Sequence, residues 1–252
     1  MKTSHYVSLF IFIIAGIGLW NYPDSQQQRA PKNILRVGTN AEYPPFSLKK
    51  DGKIVGFDID IVKDIAKRMG KTVVFANMDF DMLIPQLQFG AIDIVAAGIS
   101  ETPERANQVS FTTPHLCNDP FLIVTLANKP PVTSIGQLIG KKIIVNQGFT
   151  AELYMQQIPG PILQALPTVA DAFVALEQGK GYAFVTAASA VTPYFKKYGK
   201  DKFRVSRIPG SGESYNLAIS RKNPTLLKKV QETLNSMKKD GTLTKLQNKW
   251  EL

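Results

Sequence analysis

One cysteine, Cys117, and two histidines, His5 and His115, are all that 252 residues supply of the side chains most used for soft-metal binding and nucleophilic catalysis. A single cysteine excludes an internal disulfide, so stability must come from core burial, and Cys117 itself is expected to be a small packed residue. Long apolar runs are scarce too. Val7 to Trp20 falls short of the ~20 residues of a spanning helix. With Lys2 before it and the polar, Gln-rich stretch Asn21 to Pro31 after it, residues 1–31 read as an export signal. No clean small-x-small triplet marks a cleavage point, so a retained N-terminal membrane anchor stays open, and no cysteine stands near the run to carry a lipid. Nucleic-acid signatures are missing as well. The formal charge is +10, but Lys and Arg are spread along the whole chain with no zinc finger, basic helix or RNA-binding aromatic motif, so a solvated basic surface is expected. Without residues 1–31 the chain keeps 28 basic and 19 acidic residues, a formal +9.

What is present is the patterning of an ordinary globular protein, 44% hydrophobic and 20% charged. Ile34 to Gly38 reads as a buried strand. Phe57 to Met69 reads as a helix, with Ile61, Ile65 and Met69 four apart and Gly70 at its end. Val73 to Ala76, Ile92 to Ala97 and Phe121 to Leu126 are strand-like, and Met82 to Phe89 is helical. Strands alternating with helices predict an α/β fold with helices on both faces of a sheet. The grammar then restarts. Lys142 to Val145 predicts a strand, Ala172 to Gln178 a helix ending at Gly179, and Tyr182 to Thr186 another strand. The tail differs: Tyr215 to Ser220 predicts a strand, Leu226 to Met237 an amphipathic helix, and Leu246 to Trp250 a short final helix after Gly241. Two similar α/β lobes and a returning segment account for this order.

An ordered series of motifs points the same way. Leu35-Arg36-Val37-Gly38-Thr39-Asn40 is followed by Tyr43-Pro44-Pro45-Phe46 and Gly56-Phe57-Asp58-Ile59-Asp60. Asp81-Met82-Leu83-Ile84-Pro85-Gln86-Leu87, Asp93-Ile94-Val95 and Ser100-Glu101-Thr102-Pro103-Glu104-Arg105 come next, then Gln147-Gly148 and Lys239-Asp240-Gly241-Thr242. From Leu35 to Trp250 the chain resembles the periplasmic polar amino-acid-binding proteins of bacterial ABC importers. The resemblance implies a two-lobed periplasmic-binding-protein fold, with the ligand held in a cleft between lobes joined by two crossing strands. The expected divisions are 33–117 for the first part of lobe 1, 118–216 for lobe 2, and 217–252 for the return to lobe 1. It also implies an exported, monomeric protein that delivers a free amino acid to an ABC permease by hinge closure, with no cofactor and no metal.

Arg105 can be argued on its own. Thr102-Pro103 has the form of an N-cap with proline at the first helical position. Arg105 then sits in the first turn, where the helix dipole disfavours a cation, so a carboxylate must satisfy it, either local or belonging to a ligand. The resemblance makes Arg105 the clamp for the ligand α-carboxylate, with Ser100, the backbone at Gly98 and Thr150 completing that end. It makes Tyr43 and Phe80 aromatic walls and gives Phe149, where a small residue is customary, a place in the wall. A planar guanidinium gains roughly 0.5–2 kcal/mol per favourable aromatic contact, which favours arginine. Glu42 is the expected distal anion, unless it is a solvated loop residue, and Asn40 a neutral hydrogen-bond partner. The aspartate that usually holds the α-ammonium is replaced by Ala187, so another carboxylate supplies that contact or the ligand sits differently. The formal +9 does not attract a cation, but screening over ~8 Å leaves the local cleft to decide.

Glutamine or another polar amino acid is the alternative ligand. A same-fold enzyme of the dehydratase kind is a rival, as is a sensor or adhesin. Outside the leader His115 is the only histidine for acid–base work, and His115, Cys117 and Asp119 spaced by two are a weak metal pattern, so a non-enzyme is expected.

Overall fold

The computed structural model describes residues 33–252, and the expected leader lies outside them. The chain opens with β1 (Ile34–Thr39) and a small antiparallel sheet of β2 (Glu42–Tyr43), β3 (Ser47–Lys50) and β4 (Lys53–Val55). α1 (Phe57–Arg68) and β5 (Thr72–Asn77) follow, then a 3-10 turn at Phe80–Met82 running into α2 (Leu83–Phe89). β6 (Ile94–Ser100), α3 (Pro103–Ala106), β7 (Ser110–Phe111) and β8 (Leu116–Asp119) end the first passage. The second lobe runs through β9 (Phe121–Leu126), β10 (Lys142–Asn146), α4 (Thr150–Gln156), β11 (Ile162–Leu166), α5 (Val169–Glu177), β12 (Ala183–Ala187), α6 (Ala188–Tyr198) and β13 (Phe203–Arg207). β14 (Glu213–Ile219), α7 (Pro224–Lys239) and α8 (Thr242–Trp250) return to the first.

The restart in the sequence is a restart in topology. The first sheet has the order β5-β1-β6-β14-β7, with β8 also on β14, and the second the order β11-β10-β12-β9-β13. In each, three parallel strands are joined by an antiparallel strand that arrives from the other lobe, β14 in the first and β9 in the second. Asp119 to Phe121 and Arg207 to Glu213 are therefore the two crossings. β14 joins the first sheet from Glu213 onward, where its register sets Glu213 opposite Asp119 and Tyr215 opposite both Leu116 and Ser100.

Local chemistry explains the boundaries. α1 buries Phe57, Ile61, Val62 and Ile65 along one face and carries Asp58 and Asp60 in its first turn and Lys67 and Arg68 in its last, as the macrodipole favours. β6 begins at Ile94 rather than Ile92, because Asp93 is drawn into a turn by Arg36, which donates to it from its backbone N–H, Nε and Nη2. α5 begins three residues before the expected start because Thr168 caps it, accepting the N–H of Asp171. α6 contains Pro193, a breaker by sequence, and its capping turn is instead supplied from the crossing segment, where Asp119 accepts the N–H of Ser189. Cys117 corrects the expectation of a packed residue. It is exposed, on β8 at the edge of the first sheet.

Tyr43, Phe46 and Tyr215 form the part of the core nearest the crossings, with the Phe46 ring centroid 4.2 Å from Tyr215 and 5.1 Å from Tyr43. Beneath them lies a fully buried polar pair: Asp58 Oδ1 meets His115 Nε2 at 2.8 Å, while Asp58 Oδ2 accepts the N–H of Gly98 at 2.8 Å. His115 is thus a core partner of α1, and no cluster of three metal-ligating side chains exists among the described residues. No helix among them is long and apolar enough to cross a membrane.

Candidate functional site

The site gathers where β6 ends, where the two crossings pass, and where β10 turns into α4. β6 delivers Gly98 and Ser100. Gly98 has φ of 61°, and a Cβ there would lie 2.6 Å from the Tyr43 ring, so glycine is needed to seat that ring. Its N–H is taken by Asp58, which holds the end of β6 in place.

The capped turn expected at Thr102-Pro103 exists. Thr102 Oγ1 accepts the N–H of Arg105, and Pro103 occupies the first helical position. This points the buried Arg105 guanidinium across the lobes: Nη1 donates to the Ser100 carbonyl at 2.8 Å and Nη2 to the Gly148 carbonyl at 2.6 Å. The Arg105 Cζ also stands 5.3 Å from the Phe80 ring centroid. Burial lowers the Arg105 pKa, and the charges of Glu213 and Glu104 offset part of that cost.

From the second lobe, Gly148 at φ of 75° makes the turn after β10, and its N–H donates to Glu152 Oε2 at 2.6 Å. That turn presents Phe149 and Thr150. The buried Phe149 ring lies 4.7 Å from Tyr43 and 5.0 Å from Phe80, so the three aromatics form one interlobe trio. Thr150 donates its hydroxyl to Glu213 Oε2, and Ser100 Oγ donates to the same oxygen at 2.7 Å. Tyr215 OH, with one proton to donate, lies between two acids, 2.8 Å from Glu213 Oε1 and 2.6 Å from Asp119 Oδ2. Burial is the main force raising the Glu213 pKa; Asp119 adds to it, while the three hydroxyls oppose it. Burial likewise carries both the Tyr43 and Tyr215 phenols well above their ordinary range.

Beyond the trio, on the Phe80 side, a cavity of about 150 Å³ is lined by Asn40, Glu42, Asp79, Phe80, Asp81, Gln147, Pro167 and Thr168. It holds three carboxylates and no lysine or arginine. Glu42 is exposed, and Asn40 is anchored by donating its Nδ2 to the Met78 carbonyl.

The structure therefore brings Tyr43, Phe80, Gly98, Ser100, Arg105, Phe149 and Thr150 together and puts Asn40 and Glu42 at the far end. A family model for the bacterial extracellular solute-binding proteins, family 3, matches residues 35–252. The chain belongs to this family. Among its family-3 relatives is the ABC transporter arginine-binding protein 1 of Escherichia coli (strain K12), 34% identical over 221 residues, covering 86% of this chain and 90% of that one. A solved structure of an ancestral arginine-binding protein bound to arginine is 38% identical, with a TM-score of 0.82 over 87% of this chain and 98% of the other. A second, of an ancestral arginine-binding protein bound to glutamine, has a TM-score of 0.81 at 38% identity over 88% of this chain and 99% of that one.

The members of the site that the sequence did not foresee are Glu213, Tyr215, Asp119, Asp79 and Asp81. One signal for Glu213 is visible in the sequence. It stands two residues before Tyr215 and four before Leu217, on the same side of a strand whose inner residues are apolar. Asp79 and Asp81 carry no such signal, since acids in a polar turn are ordinary.

Proposed function

We propose that this chain binds a free amino acid between its lobes, arginine best, outside the cytoplasm, and passes it to an ABC permease when the lobes close. The observation that carries the choice of arginine is the distal cavity, where Glu42, Asp79 and Asp81 surround a space bounded by Phe80 and no basic residue enters. Three carboxylates there favour a cation, and the Phe80 face favours a planar one. At the other end Arg105, Ser100 and Thr150 supply donors suited to an α-carboxylate. Tyr43, Phe80 and Phe149 line the path between, Gly98 seats Tyr43, and Asn40 offers a polar edge to the distal group.

The protein acts as a monomer, carried in the periplasm or held at the membrane by its N-terminus. It binds stoichiometrically without turnover. The named transport relatives support this, as does the withdrawal of His115 into the core beside Asp58.

The test is calorimetric titration of the full chain, refolded to strip bound ligand, with arginine, lysine, histidine, glutamine and glutamate. Tight 1:1 binding of arginine with glutamate silent is expected. Preference for glutamine or glutamate would refute the cationic end while leaving an amino-acid cleft, and silence with all five would refute the amino-acid reading itself.

A further inference from the structure

Ala187 ends β12 with a buried methyl group, so the second lobe offers no carboxylate there for an ammonium. The same place is reached from the crossings. Asp119 accepts the N–H of Ser189, two residues beyond Ala187, and the β8–β14 register puts Glu213 directly opposite Asp119. Like charges facing each other across a ladder are destabilising, and here both carboxyls also converge on one phenol. Tyr215 OH lies 2.6 Å from Asp119 and 2.8 Å from Glu213, but it has a single proton to give. Among the described residues neither acid has a lysine, arginine or histidine within salt-bridge distance. Arg105 is near enough to feel Glu213, yet it spends two donors on the Ser100 and Gly148 carbonyls. The pair is short of one positive charge.

Room for that charge lies beside Glu213. With Ser100 and Thr150 it lines a cavity of about 570 Å³, whose wall includes Glu101, Glu104, Tyr154 and Asn216 and no lysine or arginine. We propose that Glu213, backed by Asp119 and Tyr215, is the counter-charge for the ligand's α-ammonium, so that the crossing strands do what Ala187 cannot. This rests on the amino-acid reading above and adds the residue that recognises the amine. The Ser100 and Thr150 hydroxyls can rotate from Glu213 to the ligand carboxylate, and the Glu213 Oε2 they release takes an ammonium hydrogen. Recognition of both halves of the amino acid is thereby coupled through one side chain.

The experiment pairs a ligand change with a protein change, titrating the full chain with arginine and with 5-guanidinopentanoic acid, which is arginine without its α-amine. In the unaltered chain arginine should bind at least about 30-fold more tightly, the loss expected when one partner of a buried charge pair is removed. Glu213→Gln should cost arginine a similar factor and leave the deaminated acid within about threefold, erasing the discrimination. A Glu213→Gln chain that keeps the unaltered preference for arginine would overturn the proposal, as would equal loss of both ligands. Should that variant not fold, the unaltered chain decides alone, because equal affinity for the two ligands also overturns it. If the unaltered chain binds no amino acid, both readings fall; if it binds arginine but ignores Glu213, only this one does.

Discussion

Two positions show how the site is held in tension with stability. Gly98 keeps φ at 61° beneath the Tyr43 ring. A methyl group there meets the ring and forces a side-chain-bearing residue into the left-handed region, so Gly98→Ala is expected to cost about 2 kcal/mol or more. A lowered Tm together with weaker ligand binding checks this, and an unchanged Tm would show that Tyr43 moves aside freely. Glu213 illustrates the opposite trade. Its folded pKa is raised, chiefly by burial, so the folded state favours the neutral carboxyl. For such a group, stability is fully present below the ordinary carboxylate range and is lost as pH rises through the raised value. Glu213→Gln keeps one of the two accepting oxygens, which can stay with the Ser100 and Thr150 hydroxyls, and removes the buried charge, so it should raise the Tm at neutral pH. That gain should vanish as pH falls through the ordinary carboxylate range. A variant less stable than the parent at neutral pH would mean that the ionised form is already well compensated in the fold.

At the scale of elements, short capped pieces aim the side chains that matter. α3 has only four residues, and its entry is set by the Thr102 cap and Pro103. Losing an N-cap costs about 1 kcal/mol, so Thr102→Ala should lower stability by that order and weaken arginine binding several-fold by loosening Arg105. Arg105→Ala should abolish amino-acid binding with the fold intact, and calorimetry beside a thermal melt separates the two effects. Binding unimpaired by Arg105→Ala would place the carboxylate elsewhere. This turn was legible in the sequence because a cap, a proline and an arginine fall within four residues. So were α1 and α7, where apolar residues recur at helical spacing, and the buried strand β1. α4 and α6 were not. α4 is only seven residues long and begins at Thr150 straight after a glycine turn, and α6 runs through Pro193 and is capped by Asp119, 70 residues before Ser189. The same reason hid half the site. Arg105, Tyr43 and Phe80 sit in motifs that read locally, whereas Asp119 and Glu213 acquire meaning only when β14 is laid on β8, a long-range register that spacing does not encode.

For the molecule as a whole, the question is what keeps two lobes together. Among the described residues they are spanned by Arg105 to the Gly148 carbonyl, Thr150 to Glu213, Ser189 to Asp119 and Tyr215, Phe149 to Tyr43 and Phe80, and the ion pair of Lys196 on α6 with Glu251 after α8. The ion pair is exposed, and such pairs contribute little. The Arg105 and Thr150 hydrogen bonds belong to groups that the proposed ligand also uses, so their net effect on closure depends on what is bound. The aromatic trio is different, since Tyr43 and Phe149 are buried, Phe80 is half-buried, and the cluster is made entirely by the chain. A ligand shifts an open–closed balance only by its differential affinity, so contacts that the chain makes to itself set the starting point from which the ligand acts. Each aromatic pair is worth roughly 0.5–1.5 kcal/mol beyond burial, and Phe149→Ala removes two, moving the balance toward the open form by about 1–3 kcal/mol. Small-angle scattering on the stripped variant should then give a larger radius of gyration than the parent. Saturating arginine should restore the compact value, because Arg105, Ser100 and Thr150 remain to bridge the lobes through the ligand. An unchanged radius in the stripped variant would assign the closed arrangement to the crossing strands rather than to the trio, and failure of arginine to compact it would make Phe149 part of the ligand's own hold on the second lobe.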